Sequence, residues 1–134
     1  MSILTILLIA VHFQTATLEV NVTNLKNDQG KVLIALFDSE AAYRTEDRIF
    51  KAARIEIING EANYRFEDLP AGEYAIKVFH DENGNDEIDT NFVGIPKEGY
   101  GFSNNAKGTM GPPSFEKASF RIYDSATQSI RIIN

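Results

Sequence analysis

The sequence predicts an all-β protein, an antiparallel β-sandwich of seven or eight short strands. Short runs of apolar or alternating residues recur at intervals of roughly 8–12 residues, as strands of a sandwich do. Gly, Pro, Asn and Asp punctuate the chain between these runs, as expected of turns. Helical and strand patterns do not alternate, which argues against a parallel α/β sheet. A chain of 134 residues with this pattern fits one domain.

The first strand is indicated by Leu18, Val20 and Val22, which alternate with polar residues as in a half-buried strand. The segment "KVLIALF" is a fuller apolar run, typical of a central strand. Asn59 and Gly60 form a dipeptide that favours tight hairpins, and it separates two further alternating segments. The predicted strands are 18–22, 31–37, 53–60, 62–70, 72–81, 114–124 and 128–134.

The remaining segments predict one helix and one long irregular connection. Residues 39–51 form the helix candidate, with Ser39 as its N-cap. Residues 92–114 are rich in Gly, Pro and Asn and predict a long loop.

A sharp corner is predicted in "FEDLPAGEYAI". Leu69 and Pro70 end one strand, Gly72 permits a left-handed turn, and Tyr74 enters the next strand. A Tyr at such a corner can bury its ring and donate its hydroxyl to upstream backbone. The motif resembles Ig-like, prealbumin-like sandwiches of bacterial surface proteins, so we expect an Ig-like/prealbumin-like fold.

Composition excludes several functions. The net charge is −6 and no cluster of Lys and Arg occurs, whereas a nucleic-acid-binding protein would carry a basic patch. Cysteine is absent, which excludes thiol nucleophiles, thiolate zinc sites and disulfides.

The N-terminus predicts export. The apolar run from Ile3 to Phe13 is too short to span a bilayer but suits a signal-peptide core. We predict a signal peptide at 1–16, cleavage after Ala16 and a domain at 17–134, located in the periplasm or secreted, with no integral membrane segment after cleavage. No basic residue precedes the core, and Gln14 is larger than the residue preferred three positions before cleavage. The alternative is a first β-strand buried in the domain.

The run "DENGNDEIDTN" places acidic and amide side chains at every second position, as calcium loops do. The candidate metal ligands are Asp81, Asn83, Asn85, the backbone carbonyl of Glu87, and Asp89. Ile88 stands where such loops place a core-packing residue, but Asp86 replaces the usual Gly and Phe92 replaces the bidentate Glu. Water, Glu98 or Asn91 would have to complete the site. Binding would then be weak, roughly 10⁻⁴–10⁻³ M. The alternative is a turn whose side chains cap their own backbone.

The long loop offers a second candidate site. Tyr100, Phe102 and Asn104 could form an aromatic and amide surface that binds a glycan or a peptide. Alternatively, these aromatic side chains fold back and cover an open end of the sandwich.

Catalysis is not indicated. His80 would be the one histidine left after cleavage, and Ser103 is the nearest nucleophile in sequence but lacks a Gly-x-Ser-x-Gly elbow. We therefore expect a protein that is not an enzyme.

The segments "ALFDS", "FEDLPAGEYAI", "FHDENGNDEIDTNFVGIPKEGYGFSNNA" and "GPPSFEKASF" together resemble the bacterial domain of unknown function 2141 family, from about Leu18 to Ile133. The resemblance implies a small secreted or periplasmic β-sandwich with a signal peptide, and it brings no established activity. Family members usually have Asn-Gly-Asn-Gly in the acidic loop, where this chain has Asp86 in place of the second Gly. The loop is also similar to calcium loops in B-type repeats of bacterial adhesins, which usually continue to a Glu where this chain has Phe92.

We therefore expect an exported module that is not an enzyme, in which a weak calcium-binding loop at 81–89 orders a long surface loop for an extracytoplasmic protein or glycan partner. The alternative is a glycan- or peptide-binding module that uses residues 92–105, with the metal incidental.

Overall fold

The computed structural model describes residues 4–6, 15–85 and 98–134, and these residues form a β-sandwich. The fold class predicted from the sequence is confirmed. The described elements are β1 Thr15–Thr23, β2 Lys31–Phe37, α1 Glu40–Thr45, β3 Lys51–Glu56, β4 Ala62–Pro70, β5 Gly72–Asp81, β6 Tyr100–Phe102, a 3₁₀ turn Ser103–Asn105, α2 Phe115–Ala118, β7 Phe120–Ile122 and β8 Ser125–Arg131.

The strands form two sheets. The smaller sheet has the order β4-β1-β8, and the larger has the order β3-β2-β5-β6, with β7 also paired to β5. All pairs are antiparallel except β1 and β8, which run parallel, with Val20 opposite Gln128. The sequence did not predict this parallel pair, because strand partners far apart in the chain leave no local signal.

The core lies between the two sheets and is filled by alternate residues of each strand. On β1 the inward residues Leu18, Val20 and Val22 are fully buried, as their alternation predicted. On β5 the inward residues are Tyr74, Ile76, Val78 and His80, so this strand contributes a buried histidine as well as apolar side chains.

A second apolar cluster covers the outer face of the larger sheet. Its buried members come from β2, β5, β6 and the two helices: Phe37, Ala42, Tyr43, Ala75, Phe102, Phe115 and Ala118. The larger sheet is therefore packed on both faces.

Lys77 also joins this outer cluster. Its ammonium lies 4.2 Å from the ring centroid of Tyr43 and forms an ion pair with Glu46 at 2.5 Å.

The predicted helix is shorter than expected. Ser39 caps it as predicted, because its Oγ accepts a hydrogen bond from the N–H of Ala42 at 3.2 Å. Glu46 then adopts a left-handed conformation with φ of 56°, which ends the helix.

The tight turn predicted at Asn59 and Gly60 is present, but the strands before and after it do not pair with each other. Both residues have positive φ, 52° and 76°, and the flanking Ile58 and Glu61 form a bridge. However, β3 pairs with β2 while β4 pairs with β1, so the chain crosses from one sheet to the other at this turn.

The predicted strand at 114–124 is wrong in its first half. Ser114 caps α2, since its Oγ accepts from the N–H of Lys117 at 3.3 Å. Phe115 and Ala118, three residues apart, both face the outer cluster, which is a helical spacing. Only β7, Phe120–Ile122, pairs with β5 in this region.

The tyrosine corner is confirmed. The Tyr74 ring is buried and its hydroxyl donates to the carbonyl of Pro70 at 2.5 Å. Burial, and then the nearby Asp38 carboxylate, raise the pKa of Tyr74 above its usual 10.0. The left-handed residue is Asp68, with φ of 57°, and the prediction for Gly72 is wrong. The left-handed conformation of Asp68 belongs to a β-bulge, in which Thr17 alone lies opposite both Glu67 and Asp68.

The first strand begins at Thr15, before the predicted cleavage site. Ala16 is fully buried and lies opposite Leu69 in β4. Most of the predicted signal-peptide core, residues 7–14, lies outside the described residues. Cleavage after Ala16 stays a prediction. In the part of the chain that the structure describes, no helix is long and apolar enough to cross a membrane.

Candidate metal-binding loop

Three connections meet at one end of the sandwich. The β1–β2 connection reaches the acidic loop, where Asn27 Nδ2 donates to Glu82 Oε1 at 2.8 Å. The same connection holds the β3–β4 turn, since the Asp28 carboxylate accepts from the N–H groups of Asn59 and Gly60 at 3.1 and 2.8 Å. The first residues of the acidic loop are thereby attached to the rest of the domain.

Asp81 is the last residue of β5 and its side chain is fully buried. Its Oδ1 accepts a hydrogen bond from the backbone N–H of Asn85 at 3.2 Å. Asn83 Oδ1 accepts from the same N–H, also at 3.2 Å. Gly84, with φ of 72°, lets the chain reverse between Asn83 and Asn85. Both side-chain oxygens therefore accept a backbone N–H of their own loop, as in the alternative of a turn whose side chains cap their own backbone, and metal binding stays a prediction.

Glu98, which stands at the far end of the same connection, approaches the first turn of the loop. Its carboxylate is buried, with 6% of the residue exposed, and its Oε2 accepts from the N–H of Glu82 at 2.7 Å. The structure thus brings a second buried carboxylate beside the residue that follows Asp81.

Gly30 makes this arrangement possible, and the sequence reasoning missed it. A Cβ atom on Gly30 would lie 1.9 Å from the backbone oxygen of Asp81, and Gly30 has a φ of 69°. Only glycine allows this close approach. Its sequence signal was a turn before β2, which did not reveal the contact with Asp81.

The other predicted ligands, Glu87 and Asp89, lie outside the described residues, as do Asp86, Asn91 and Phe92. Within residues 15–85 and 98–134 no group of three or more His, Asp or Glu side chains is placed to hold a metal ion. The described part of the loop brings together Asp81, Asn83 and Asn85, with Glu98 beside Glu82.

His80 lies on the opposite face of β5 from Asp81 and points into the core. Its Nε2 is 2.5 Å from the carbonyl of Gln29, which can only accept, so Nε2 carries the proton. Its Nδ1 is buried without a hydrogen-bond partner. This ring therefore ties β5 to the β1–β2 connection.

Ser103 is also used for structure. Its Oγ accepts from the N–H of Ile76 at 2.9 Å and donates to the carbonyl of Ala118. These contacts bring the 3₁₀ turn to β5 and α2. The absence of enzymatic activity stays a prediction.

The predicted aromatic surface is largely packed. Phe102 is buried in the outer cluster, and the half-buried Tyr100 lies edge-on to it with ring centroids 6.0 Å apart. The Asn104 amide donates to the carbonyls of Lys117 and Ser119 and accepts from Gln128. These contacts favour a packing role, and glycan or peptide binding by Tyr100, Phe102 and Asn104 stays a hypothesis.

One ionisable group in the outer cluster is strongly perturbed. Burial, and then the nearby Glu46 carboxylate, raise the pKa of Tyr43 to about 12. The hydroxyl donates to the carbonyl of Pro113 at 2.7 Å, which also favours the protonated form.

The fold and this loop define a small all-β sandwich with an acidic, Asn-rich connection at one end. A family profile described as "Uncharacterized protein conserved in bacteria (DUF2141)" matches residues 20–131. The chain belongs to this family, as its motifs indicated. No curated protein and no solved structure matches it.

Proposed function

We propose that this protein is an exported, non-enzymatic module whose loop 81–89 binds calcium weakly. In this proposal the ligands are Asp81, Asn83, Asn85, the carbonyl of Glu87, and Asp89. Calcium orders residues 81–105, which then present a surface to an extracytoplasmic protein or glycan.

One observation carries the proposal. Asp81 Oδ1 and Asn83 Oδ1 both lie 3.2 Å from a single backbone N–H, so two oxygens from alternate positions face the same point inside the loop. Carboxylate and amide oxygens are the ligands that calcium prefers.

Glu98 adds support. Its buried carboxylate bonds to the residue next to Asp81, so a second negative charge stands close to the loop. This negative charge would attract a calcium ion held in the loop.

Thermal unfolding in EDTA and in millimolar calcium tests the proposal. At a calcium concentration 100 times the Kd, linkage predicts about 2.7 kcal/mol of added stability, which is a rise of several degrees in Tm. Asp81→Asn keeps the shape of the side chain but removes its charge, and it should abolish the rise. Asp47→Asn, an exposed acid after α1, is the matched control and should keep it. Equal Tm values in EDTA and calcium for the unaltered protein would reject calcium binding.

The proposed export rests on the apolar run before β1. Expression of the full chain in a bacterial host, followed by fractionation and mass measurement, tests it. We expect a periplasmic or secreted product that begins at Thr17. An uncleaved product in the cytoplasm would contradict the proposal.

A further inference from the structure

A cleft of about 470 Å³ lies beside β6, the end of β8 and the start of the β1–β2 connection. This volume lies within the range of small-molecule sites, roughly 300–1,000 Å³. Its lining includes Asn24, Asn105, Ala106, Lys107, Arg131 and Ile133. None of them belongs to the proposed calcium loop.

The walls of this cleft are held by hydrogen bonds. The Asn105 amide accepts from the N–H of Arg131 at 2.9 Å and donates to the carbonyl of Ser129 at 3.3 Å. Tyr100 and Ile133 exchange two backbone hydrogen bonds, at 3.1 and 2.8 Å. A cleft fixed in this way requires little rearrangement when a ligand binds.

The opposite wall is fixed as well. Asn24 Nδ2 donates to the carbonyl of Ile132 at 2.9 Å, and Asn134 Nδ2 donates to the carbonyl of Asn24 at 2.8 Å. The chain segment after β8 is thereby held against the β1–β2 connection.

The lining combines apolar surface with two cations. Ala106 and Ile133 are half-buried and expose apolar surface to the cleft, whereas Phe102 and Ile132 are buried behind it. Lys107 and Arg131 are exposed, and in the described part of the chain neither forms an ion pair with a carboxylate. Two cations without acidic partners beside one cleft are notable in a protein of net charge −6.

We propose that this cleft binds a small organic carboxylate with an apolar body. The carboxylate accepts hydrogen bonds from Lys107 and Arg131, and the apolar body packs on Ala106 and Ile133. Arg and Lys provide the donors that recognise carboxylates, and apolar lining with few polar groups is typical of small-ligand sites.

Octanoate is the test ligand, titrated at neutral pH into the ¹⁵N-labelled protein. We expect saturable amide shifts centred on Gly101, Ala106 and Arg131. Octanol, which has the same chain without the charge, should bind about five- to ten-fold more weakly, because it forms neither of the two ion pairs and each exposed pair contributes up to about 1 kcal/mol.

The double variant Lys107→Gln/Arg131→Gln should weaken octanoate binding about five- to ten-fold, the loss of two such ion pairs. The matched control is Lys51→Gln/Arg65→Gln, which removes the same charge from β3 and β4, outside the cleft. This control should bind octanoate as the unaltered protein does.

Three results would overturn the proposal. They are the absence of saturable shifts at the cleft, equal affinity for octanoate and octanol, and an equal loss of affinity in the control variant. Unchanged Tm values in both double variants would establish that the comparison reports binding and not folding.

Discussion

Two segments of this chain are rich in Asn, and they use these side chains differently. In the 3₁₀ turn, Asn104 and Asn105 bond to residues in or just after α2 and in β8 that lie 13 to 26 positions away. In the acidic loop, Asp81 and Asn83 both bond to the N–H of Asn85, within four positions. The same residue types therefore join distant elements in one segment and shape a local loop in the other.

This difference distinguishes structural amides, whose side chains join distant parts of the fold, from side chains that are candidate metal ligands. Asn105 bonds to the carbonyl of Ser129 and the N–H of Arg131, as a neighbouring strand would, and so covers part of the β8 edge. Oxygens that converge inside a local loop can exchange a weak hydrogen bond for a metal ion at little structural cost. Local spacing alone does not distinguish these two cases.

The largest expected loss of stability is at Gly30, where the β1–β2 connection contacts Asp81 at the start of the acidic loop. Gly30→Ala should destabilise the protein by about 3 kcal/mol or more, because a left-handed φ and a clash with the Asp81 carbonyl add together. The matched control is Gly84→Ala, which also has a positive φ but no atom within 4 Å of the new Cβ. It should cost only about 1 kcal/mol. Urea unfolding measures both, and equal losses would show that backbone conformation alone matters at Gly30.

The next effect compares the two segments directly. Asn104→Ala should cost about 2–4 kcal/mol, since it removes hydrogen bonds to Lys117, Ser119 and Gln128 from a left-handed residue. Asn83→Ala, measured in EDTA, should cost less than about 1 kcal/mol, because Asn83 is exposed and water can replace the hydrogen bonds that its side chain loses. Similar losses at the two positions would contradict the distinction between structural amides and candidate ligands.

The last prediction concerns Tyr43 in the outer cluster. Its effect on the free energy of unfolding is the smallest of the three at neutral pH, because it appears only in alkali. The folded state holds the proton of Tyr43 up to a pKa of about 12, whereas the unfolded chain releases it near the ordinary value of 10.0. Between these values the unfolded state binds fewer protons, so the free energy of unfolding falls as pH rises. This contribution is fully present below pH 10.

Tyr43→Phe should reduce that alkaline fall. Tyr74 shifts in the same direction, so Tyr74→Phe should also reduce it. Urea unfolding at pH 8 to 11 measures the slopes. A fall that Tyr43→Phe leaves unchanged would assign the alkaline loss to other groups.

The sequence predicted best what depends on neighbouring residues. The bounds of β2, β4 and β5 match the predicted ranges because their alternation and turn residues are local. The crossing between sheets at Asn59 and Gly60 was missed, because a turn dipeptide does not specify which strands its flanks will pair with.

For the candidate site, too, the sequence indicated the features that depend on local spacing and not those that depend on tertiary contacts. Asp81 and Asn83 were chosen as candidate ligands from spacing alone; their oxygens accept from the same N–H, and metal binding stays a prediction. Glu98 was considered only as a distant group, and Gly30 was not considered, because both contacts depend on tertiary packing. The cleft near Arg131 could not be predicted from the sequence either, since its walls come from segments far apart in the chain.

The parallel pairing of β1 with β8 has a consequence for synthesis on the ribosome. Strand β1 is the central strand of its sheet, and one of its two neighbours is β8, which comes last in sequence among the strands that the structure describes. While residues 125–131 are still inside the exit tunnel, β1 has one open edge and the core residue Ile130 is missing. The smaller sheet can therefore close only after translation has passed β8, and until then the nascent chain cannot complete the cooperative core on which its stability depends.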